Sequence, residues 1–146
     1  MASSKVKLTT EEIQYITFFE GLTGAVAKDC IIDENADRII FVVKTGDLGL
    51  AIGKRGANVK KIRKLLGKPV DIVEYADTPE ELIKNALLPA KVKSVHITER
   101  RDGKKIAIVA VDPKDRGIAI GKNGKNVAKA RILVQRHFNI DDVIIS

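Results

Sequence analysis

The chain has 146 residues, of which 45% are hydrophobic and 31% charged, and it carries a net charge of +7. This composition is typical of a compact globular protein and argues against a disordered or fibrous one. The chain contains no run of about 18 apolar residues, and the opening MASSKVKLTT lacks the apolar core of a secretory signal. We therefore expect a cytoplasmic protein that makes no membrane contact.

The first predicted element is a helix that begins at the capping box TTEE, Thr9 to Glu12, and ends at Gly21 or Gly24. Its apolar stripe comprises Ile13, Ile16, Leu22 and either Phe18 or Phe19. The β-branched runs AVAKDCII and RIIFVVK predict two strands, and the only cysteine, Cys30, is interpreted as a buried thiol in the first of them. A short helix over GDLGLAI, a glycine turn, a longer basic helix and the strand PVDIVEY complete this half.

The second half keeps the same order of signals. Thr78, Pro79 and Glu81 predict a helix start, with a threonine cap, a first-turn proline and a capping-box glutamate. Two strands follow, VKSVHIT and KIAIVAV, joined by Asp102-Gly103, which is a strong signal for a two-residue hairpin turn. A short helix over PKDRGIAI, a glycine turn, a longer helix and the strand IDDVII close the half. The few residues between the halves predict two units held in a fixed relation. The apolar character of both faces of IIFVV and IAIVAV predicts that the sheets are partly covered, with each other as one candidate cover.

The two halves contain a duplicated unit. At an offset of 68, residues 49–66 and 117–134 are identical at 11 of 18 positions, and both contain the pattern AIGKxG followed by Asn-Val. Residues 49–68 hold seven basic residues and no acid, and residues 117–136 hold five and no acid. Because a solvated helix face normally mixes charges of both signs, this bias indicates an anionic partner at both copies.

The glycine turns are suited to a phosphate group. Glycine lets another backbone approach closely, and the free N–H groups of the following helix, together with a lysine in the turn, neutralise an anion. A nucleotide-binding P-loop is excluded because it needs four residues between its glycines and a hydroxyl after its lysine. Gly49 and Gly53 are separated by three residues, Arg55 follows Lys54, and the second copy differs from a P-loop in the same two ways.

The stretches IGKRGANVKKI and IGKNGKNVAKA resemble the signature of KH domains, in which a GxxG loop clamps the backbone of about four nucleotides of RNA. With a helix and a strand before each copy and a strand after it, the chain resembles the archaeal NusA-type factors, which consist of two tandem type II KH domains. This resemblance implies an α+β fold, αββααβ in each half, with a three-stranded sheet packed by helices, and domains at residues 1–76 and 77–146. It also implies a monomer without cofactor that binds single-stranded RNA in transcription termination or antitermination, with RNA polymerase or the elongation complex as a partner.

The resemblance, carried onto these positions, predicts an RNA-binding site in each half. The site residues are Gly53, Lys54, Arg55, Gly56, Lys60, Lys61, Gly121, Lys122, Asn123, Gly124, Lys125 and Lys129. Ala130 stands where the first copy has Ile62, which predicts a shallower groove in the second copy.

Other functions have weaker support from the residues. The chain has no Trp, two Tyr and four Phe, which argues against RNA-binding modules that stack bases on exposed rings. A helix-turn-helix would leave the flanking strands unexplained. One cysteine and two distant histidines, His96 and His137, form no metal site or nucleophile and base pair, so we expect no enzyme. A ribosome-associated or RNA-processing KH protein remains the alternative, and copurification with polymerase or with ribosomal particles separates the two.

Overall fold

A computed structural model describes residues 6–146, which fold into two compact units. The first unit is Lys7–Tyr75, and the second unit contains Ala76–Ser146. In the described part of the chain, no helix has both the length and the apolar character needed to cross a bilayer.

The first unit has the element order αββααβ that its sequence predicts. Its elements are α1 (Thr10–Thr23), β1 (Ala27–Asp33), β2 (Arg38–Val43), α2 (Leu48–Ile52), α3 (Ala57–Leu66) and β3 (Val70–Glu74). The second unit repeats this order with α4 (Pro79–Leu87), β4 (Val92–Glu99), β5 (Lys105–Val111), α5 (Arg116–Ile120), α6 (Lys125–Phe138) and β6 (Asp142–Ile145). The predicted α+β fold with a three-stranded sheet in each half is confirmed.

Each sheet has its strands in chain order, β1-β2-β3 and β4-β5-β6. The first two strands of each sheet pair antiparallel as a hairpin, and the third pairs parallel to the second. A parallel pairing needs a crossover, which α2 and α3 supply in the first unit and α5 and α6 in the second. The glycine turn lies in the middle of each crossover.

Both threonine caps form as predicted, but the second capping box is incomplete because the Glu81 side chain does not bond to the Thr78 N–H. Thr9 Oγ1 accepts a hydrogen bond from the Glu12 N–H at 3.2 Å, while the Thr9 N–H donates to Glu12 Oε1 at 2.8 Å. Thr78 Oγ1 accepts from the Glu81 N–H at 3.3 Å and starts α4. Helix α1 continues through Gly21 and ends at Gly24, which has φ +76°.

The core of the first unit lies between α1, α3 and one face of the sheet. Phe19 and Phe41 stack with ring centroids 4.2 Å apart, and Cys30 and Ile62 are buried in the same cluster. Of the two alternatives for the α1 stripe, Phe19 is the buried ring, while Phe18 is exposed. The prediction that Ile13 belongs to the stripe is wrong, since half of its surface is exposed.

The hairpin between β4 and β5 forms, but its turn is longer than the predicted two residues. The Arg100 N–H donates to the Lys104 carbonyl at 2.8 Å, so three residues, Arg101 to Gly103, lie between them. Gly103 has φ +86°, which is the conformation that a three-residue hairpin loop requires of one residue.

The first helix of each unit, which precedes the hairpin, packs differently in the two units. Helix α1 packs mainly on β1, whereas α4 packs mainly on α6. The two sheets also differ in burial. Every residue of β2 is buried, while in β5 Ile108 is 36% exposed.

Candidate nucleic-acid interface

Each short helix ends at the first glycine of its GKxG turn. Gly53 caps α2 and has φ 78° and ψ 169°, and Gly121 caps α5 with φ 79° and ψ 169°. This combination of dihedral angles is essentially restricted to glycine. Both short helices therefore stop at the same place and reverse direction into a longer helix.

The first glycine of each turn is also packed against the following helix. A Cβ on Gly53 would lie 2.8 Å from the backbone nitrogen of Asn58, and one on Gly121 would lie 2.8 Å from that of Asn126. Real Cβ atoms essentially never approach a neighbour so closely. The close approach that glycine permits is thus made to the protein's own helix, and it keeps the turn tight.

An asparagine side chain closes each turn from the other side. Asn58 Nδ2 donates to the Leu50 carbonyl at 2.8 Å, and Asn126 Nδ2 donates to the Ile118 carbonyl at 3.0 Å. These carbonyls lie at the ends of α2 and α5, where they lack partners within the helix. The sequence comparison found the same Asn in both copies but assigned it no role. Its signal was an identical polar residue five positions after the first glycine.

The third and fourth residues of each turn are left-handed. Arg55 has φ 55° and Asn123 has φ 57°, and the glycines that follow them have φ 74° and 72°. The N–H of Gly56 donates to the Gly53 carbonyl at 3.0 Å, and the second turn has the same bond at 3.1 Å. The two turns are therefore the same structure, built twice from different third residues.

The polar side chains of both turns are exposed. Lys54, Arg55, Lys122 and Asn123 all lie on the surface, and no side chain caps the start of α3 or α6. The uncapped N–H groups and the positive end of each helix dipole therefore face the turn. An anion at either turn would meet these N–H groups and the lysine together.

The predicted site residues on the long helices divide into two groups. Lys60 and Lys61 on α3 and Lys125 on α6 are exposed. Lys129 is only 8% exposed, although it occupies the position of Lys61 in the repeat. Lys129 therefore lies outside the exposed surface around the second turn, because α4 packs on α6.

One arginine in each basic stretch, Arg63 or Arg131, bonds to the closing strand of its unit. Arg63 Nε and Nη2 donate to the Val70 carbonyl at 3.1 and 3.0 Å. Arg131, its counterpart, pairs through Nε with Asp142 at 2.6 Å and donates through Nη2 to the Val143 carbonyl at 3.2 Å. These two side chains are engaged in the fold, so the charge count of each stretch overstates what a ligand meets.

The apolar residues near the turns fall on two sides. Leu50 and Ile118 occupy the same position in the two short helices and are 53% and 47% exposed. Ile62 and Ala130 are fully buried. The expectation that Ala130 makes the second groove shallower is therefore wrong, because this position belongs to the core rather than to an open groove.

A second pair of matched side chains fixes the short helices, and sequence reasoning missed it. Asp47 Oδ2 accepts from the Val26 N–H, and Asp115 Oδ2 accepts from the Lys91 N–H, both at 2.9 Å. Each aspartate immediately precedes its short helix and ties it to the segment before the first strand. The only sign of this hydrogen bond in the sequence is that an aspartate occupies the same position, Asp47 and Asp115, in both copies.

Comparison with known proteins agrees with this geometry. A family model described as a KH domain matches residues 12–98, and one described as a NusA-like second KH domain matches residues 79–145. A protein of Halococcus morrhuae named "Probable transcription termination protein NusA" is 42% identical over 139 residues, covering 95% of this chain and 97% of the relative. The chain belongs to the NusA family.

Other NusA relatives match this chain over different shares of their own length. The Methanocaldococcus jannaschii protein of the same name is 40% identical, covering 96% of this chain and 75% of the relative. The "Transcription termination/antitermination protein NusA" of Bacillus subtilis is 34% identical over 113 residues, which is 30% of its length. The crystal structure of APE1850 matches with a TM-score of 0.85 and 40% identity, covering 95% of this chain and all of that one.

Proposed function

We propose that this chain is a single-stranded RNA-binding factor that acts in transcription termination or antitermination. It binds the RNA backbone at the two glycine turns, Gly53–Gly56 and Gly121–Gly124. The observation that carries this proposal is that both turns have the same glycine-restricted backbone and present an exposed lysine beside an uncapped helix start. The printed names of the relatives supply the process.

Each turn contributes a fixed backbone and exposed side chains to the site. The glycines and Asn58 or Asn126 hold the backbone in place before any ligand arrives, so little ordering is needed on binding. Lys54 and Lys122 neutralise a phosphate, and Arg55 adds a charge in the first turn alone. Leu50 and Ile118 offer apolar surface to a base beside each turn.

The basic helices add electrostatic affinity that does not depend on sequence. Lys60, Lys61 and Lys125 take this role, and we exclude Lys129 from it because of its burial. Two weak sites on one chain bind a single strand far more tightly than either alone when the strand reaches both. At about four nucleotides per domain, the bound length is about eight or more.

The experiment reverses the charge of each turn and measures affinity for a single-stranded RNA of about 16 nucleotides by fluorescence anisotropy. Lys54→Asp/Arg55→Asp and Lys122→Asp/Asn123→Asp each weaken binding by about tenfold or more, and the combined variant by more than either. Aspartate tolerates the left-handed conformation of the third residue, so the fold is retained. Circular dichroism checks that thermal unfolding is unchanged.

The matched control is Lys91→Asp/Lys93→Asp, at two exposed lysines at the start of β4, which changes the charge by as much as the first turn variant and by one unit more than the second. It lowers affinity by about twofold or less. Turn variants that bind like the wild type, or a control that binds as weakly as the turn variants, would move the site elsewhere.

The process is tested separately from RNA binding. We propose RNA polymerase or the elongation complex as the protein partner, action in the cytoplasm, and a binding role rather than an enzymatic one. The tagged protein then copurifies with polymerase from cell extract after nuclease treatment. Copurification with ribosomal particles instead would favour the RNA-processing alternative.

A further inference from the structure

The two units differ most in the charge of their hairpin loops. The last pair of the first hairpin is Asp33 with Arg38, and that of the second is Glu99 with Lys105. The first loop, residues 34–37, holds two acids and no base, whereas the second loop, residues 100–104, holds three bases and one acid. The duplicated units therefore share their glycine turns but not this end of the sheet.

Most of the positive charge of the second hairpin is unpaired. Arg100 Nη2 lies 3.0 Å from Asp102 Oδ2, so this arginine and the only acid of the loop neutralise each other. The hydrogen bond from the Lys104 N–H, and then that from Arg100, lower the pKa of Asp102. In the described part of the chain the side chains of Arg101, Lys104 and Lys105 are exposed and make no hydrogen bond or ion pair.

The first hairpin has the opposite arrangement. Arg38 is buried and donates to Asp33 at 2.9 Å and Asp71 at 3.2 Å, so its charge is matched within the fold. Glu34 and Asp37 at the loop are exposed. Asp37 pairs with Lys68 Nζ at 3.6 Å, so the charge that this loop leaves unmatched is that of Glu34, which would repel a nucleic-acid backbone.

The long helices differ in the opposite direction, because α3 exposes more positive charge than α6. Helix α3 presents three exposed lysines, Lys60, Lys61 and Lys64. On α6 the counterpart of Lys61 is buried, and Arg131 is paired with Asp142. Helix α6 therefore exposes fewer cations than α3, and the hairpin of the second unit adds exposed cations that the hairpin of the first unit lacks.

Hydrogen bonds place the hairpin at the far end of α6. Gln135 Nε2, in the last turns of α6, donates to the Asp141 carbonyl at 2.8 Å. Asp141 in turn accepts from the Lys105 N–H through Oδ2 and donates its own N–H to the Lys105 carbonyl, both at 2.8 Å. Since α6 has 14 residues, the second glycine turn and the base of the hairpin are about 21 Å apart along the helix.

Helix α6, which connects the two places, has no acid, whereas Asp141 and Glu99 lie at the hairpin end. The stripe Lys125, Ala128, Ile132 and Gln135 follows one side of α6 at helical spacing. Beside the hairpin lies a cleft of about 410 Å³ lined mostly by Pro79, Ile97, Thr98, Phe138 and Ile140, with Glu99 and Lys105 at its edge. A phosphate at the cations would thus leave its base beside apolar surface.

We propose that the basic hairpin, residues 100–105, is a third contact for the RNA backbone, used by a strand that continues from the second glycine turn along α6. This inference rests on the proposed RNA-binding function and extends it. A strand covering about 21 Å at the stacked spacing of about 3.4 Å needs about six nucleotides beyond those at the turn. The hairpin therefore acts only on RNAs longer than the turns alone require.

The experiment compares two RNA lengths with one variant of the full chain. Arg101→Glu/Lys104→Glu reverses two unpaired charges and keeps Asp102 and Gly103, which form the loop. It weakens binding of an RNA of about 16 nucleotides by about tenfold and of about eight nucleotides by less than twofold. The salt dependence of the long RNA becomes shallower by about 1.4 in log–log slope, because two phosphate contacts are lost.

The control Lys91→Glu/Lys93→Glu makes the same charge change at the other end of the same hairpin and leaves both affinities within about twofold. Equal weakening of the two RNAs, or equal effects of variant and control, would overturn the inference in favour of a general charge effect. Unchanged binding of both RNAs would also overturn it and would favour an acidic protein surface as the partner of the hairpin. Failure of the wild type to bind either RNA would count against the proposed function itself and remove the basis of this inference.

Discussion

Gly53 and Gly56 stand three residues apart in one turn, yet the fold constrains them differently. Gly53 has an extended ψ at positive φ and touches the backbone of Asn58. Gly56 has φ 74° and ψ 17°, a left-handed conformation, and a Cβ there would meet nothing closer than 3.7 Å. Only the first glycine is therefore required by both its dihedral angles and its surroundings.

Alanine substitutions separate these two requirements. Gly53→Ala lowers the free energy of unfolding by about 3 kcal/mol or more, because strain and a clash with Asn58 act together. Gly56→Ala lowers it by about 1 kcal/mol, the cost of a left-handed alanine. Chemical denaturation of the full chain measures both. Equal losses would contradict the packing of Gly53 against α3.

The sequence showed that both glycines matter but not why. The GxxG spacing with a following basic helix predicted a phosphate site, which implied that the missing side chains leave room for a ligand. The structure shows that the room at Gly53 is taken by Asn58. This contact joins residues across a reversal of chain direction, and no local pattern encodes it.

At the scale of the element, α3 and α6 have the same repeat but expose different residues of it. Leu65 and Leu133 are the same residue at the same repeat position, but Leu65 is 56% exposed and Leu133 is fully buried. Lys61 and Lys129 differ in the same way. The cause is the preceding helix, since α4 lies on α6 and α1 lies on β1.

A pair of identical substitutions tests this difference. Leu133→Ala lowers the free energy of unfolding by about 2 to 5 kcal/mol, because it leaves a cavity under α4. Leu65→Ala changes it by about 0.5 kcal/mol or less, as expected of an exposed side chain. Denaturant titration of both variants gives the comparison. A large loss for Leu65→Ala would contradict the open face of α3.

Most elements were predictable because their signals are local. The threonine caps, the β-branched strands and the glycine turns each depend on residues a few positions apart, and their bounds agree with the structure to within a few residues. The hairpin turn was predicted one residue too short, because Asp-Gly is compatible with both loops and the pairing of Arg100 with Lys104 decides between them. The stripe of α1 was partly wrong, since Ile13 faces solvent.

At the scale of the whole molecule, our proposal is that one anionic strand binds at both turns. The net charge of +7 arises from the two basic stretches, because the rest of the chain carries more acids than bases. Part of that charge is not available to a ligand, because Arg63 and Arg131 bond within the fold and Lys129 is buried. The cations that remain exposed are enough for about five phosphate contacts.

Salt titration measures how many phosphates are neutralised. With about five contacts and a slope of about −0.7 for each, log K for a single-stranded RNA of about eight nucleotides falls against log salt with a slope of about −3 to −4. Anisotropy titrations between about 50 and 200 mM salt supply the slope. A slope near zero would exclude backbone recognition at the turns, whatever the affinity.

The sequence by itself determined the duplication, the αββααβ order, the position of both glycine turns and the confinement of positive charge to two stretches. These properties depend on neighbouring residues or on one repeat compared with another, so they are legible without coordinates. Only the tertiary structure decided which of the repeated residues meet solvent. It buried Lys129, bound Arg63 and Arg131 to the closing strands and gave Asn58 and Asn126 their role, because exposure depends on which elements pack around a residue and not on the residue itself.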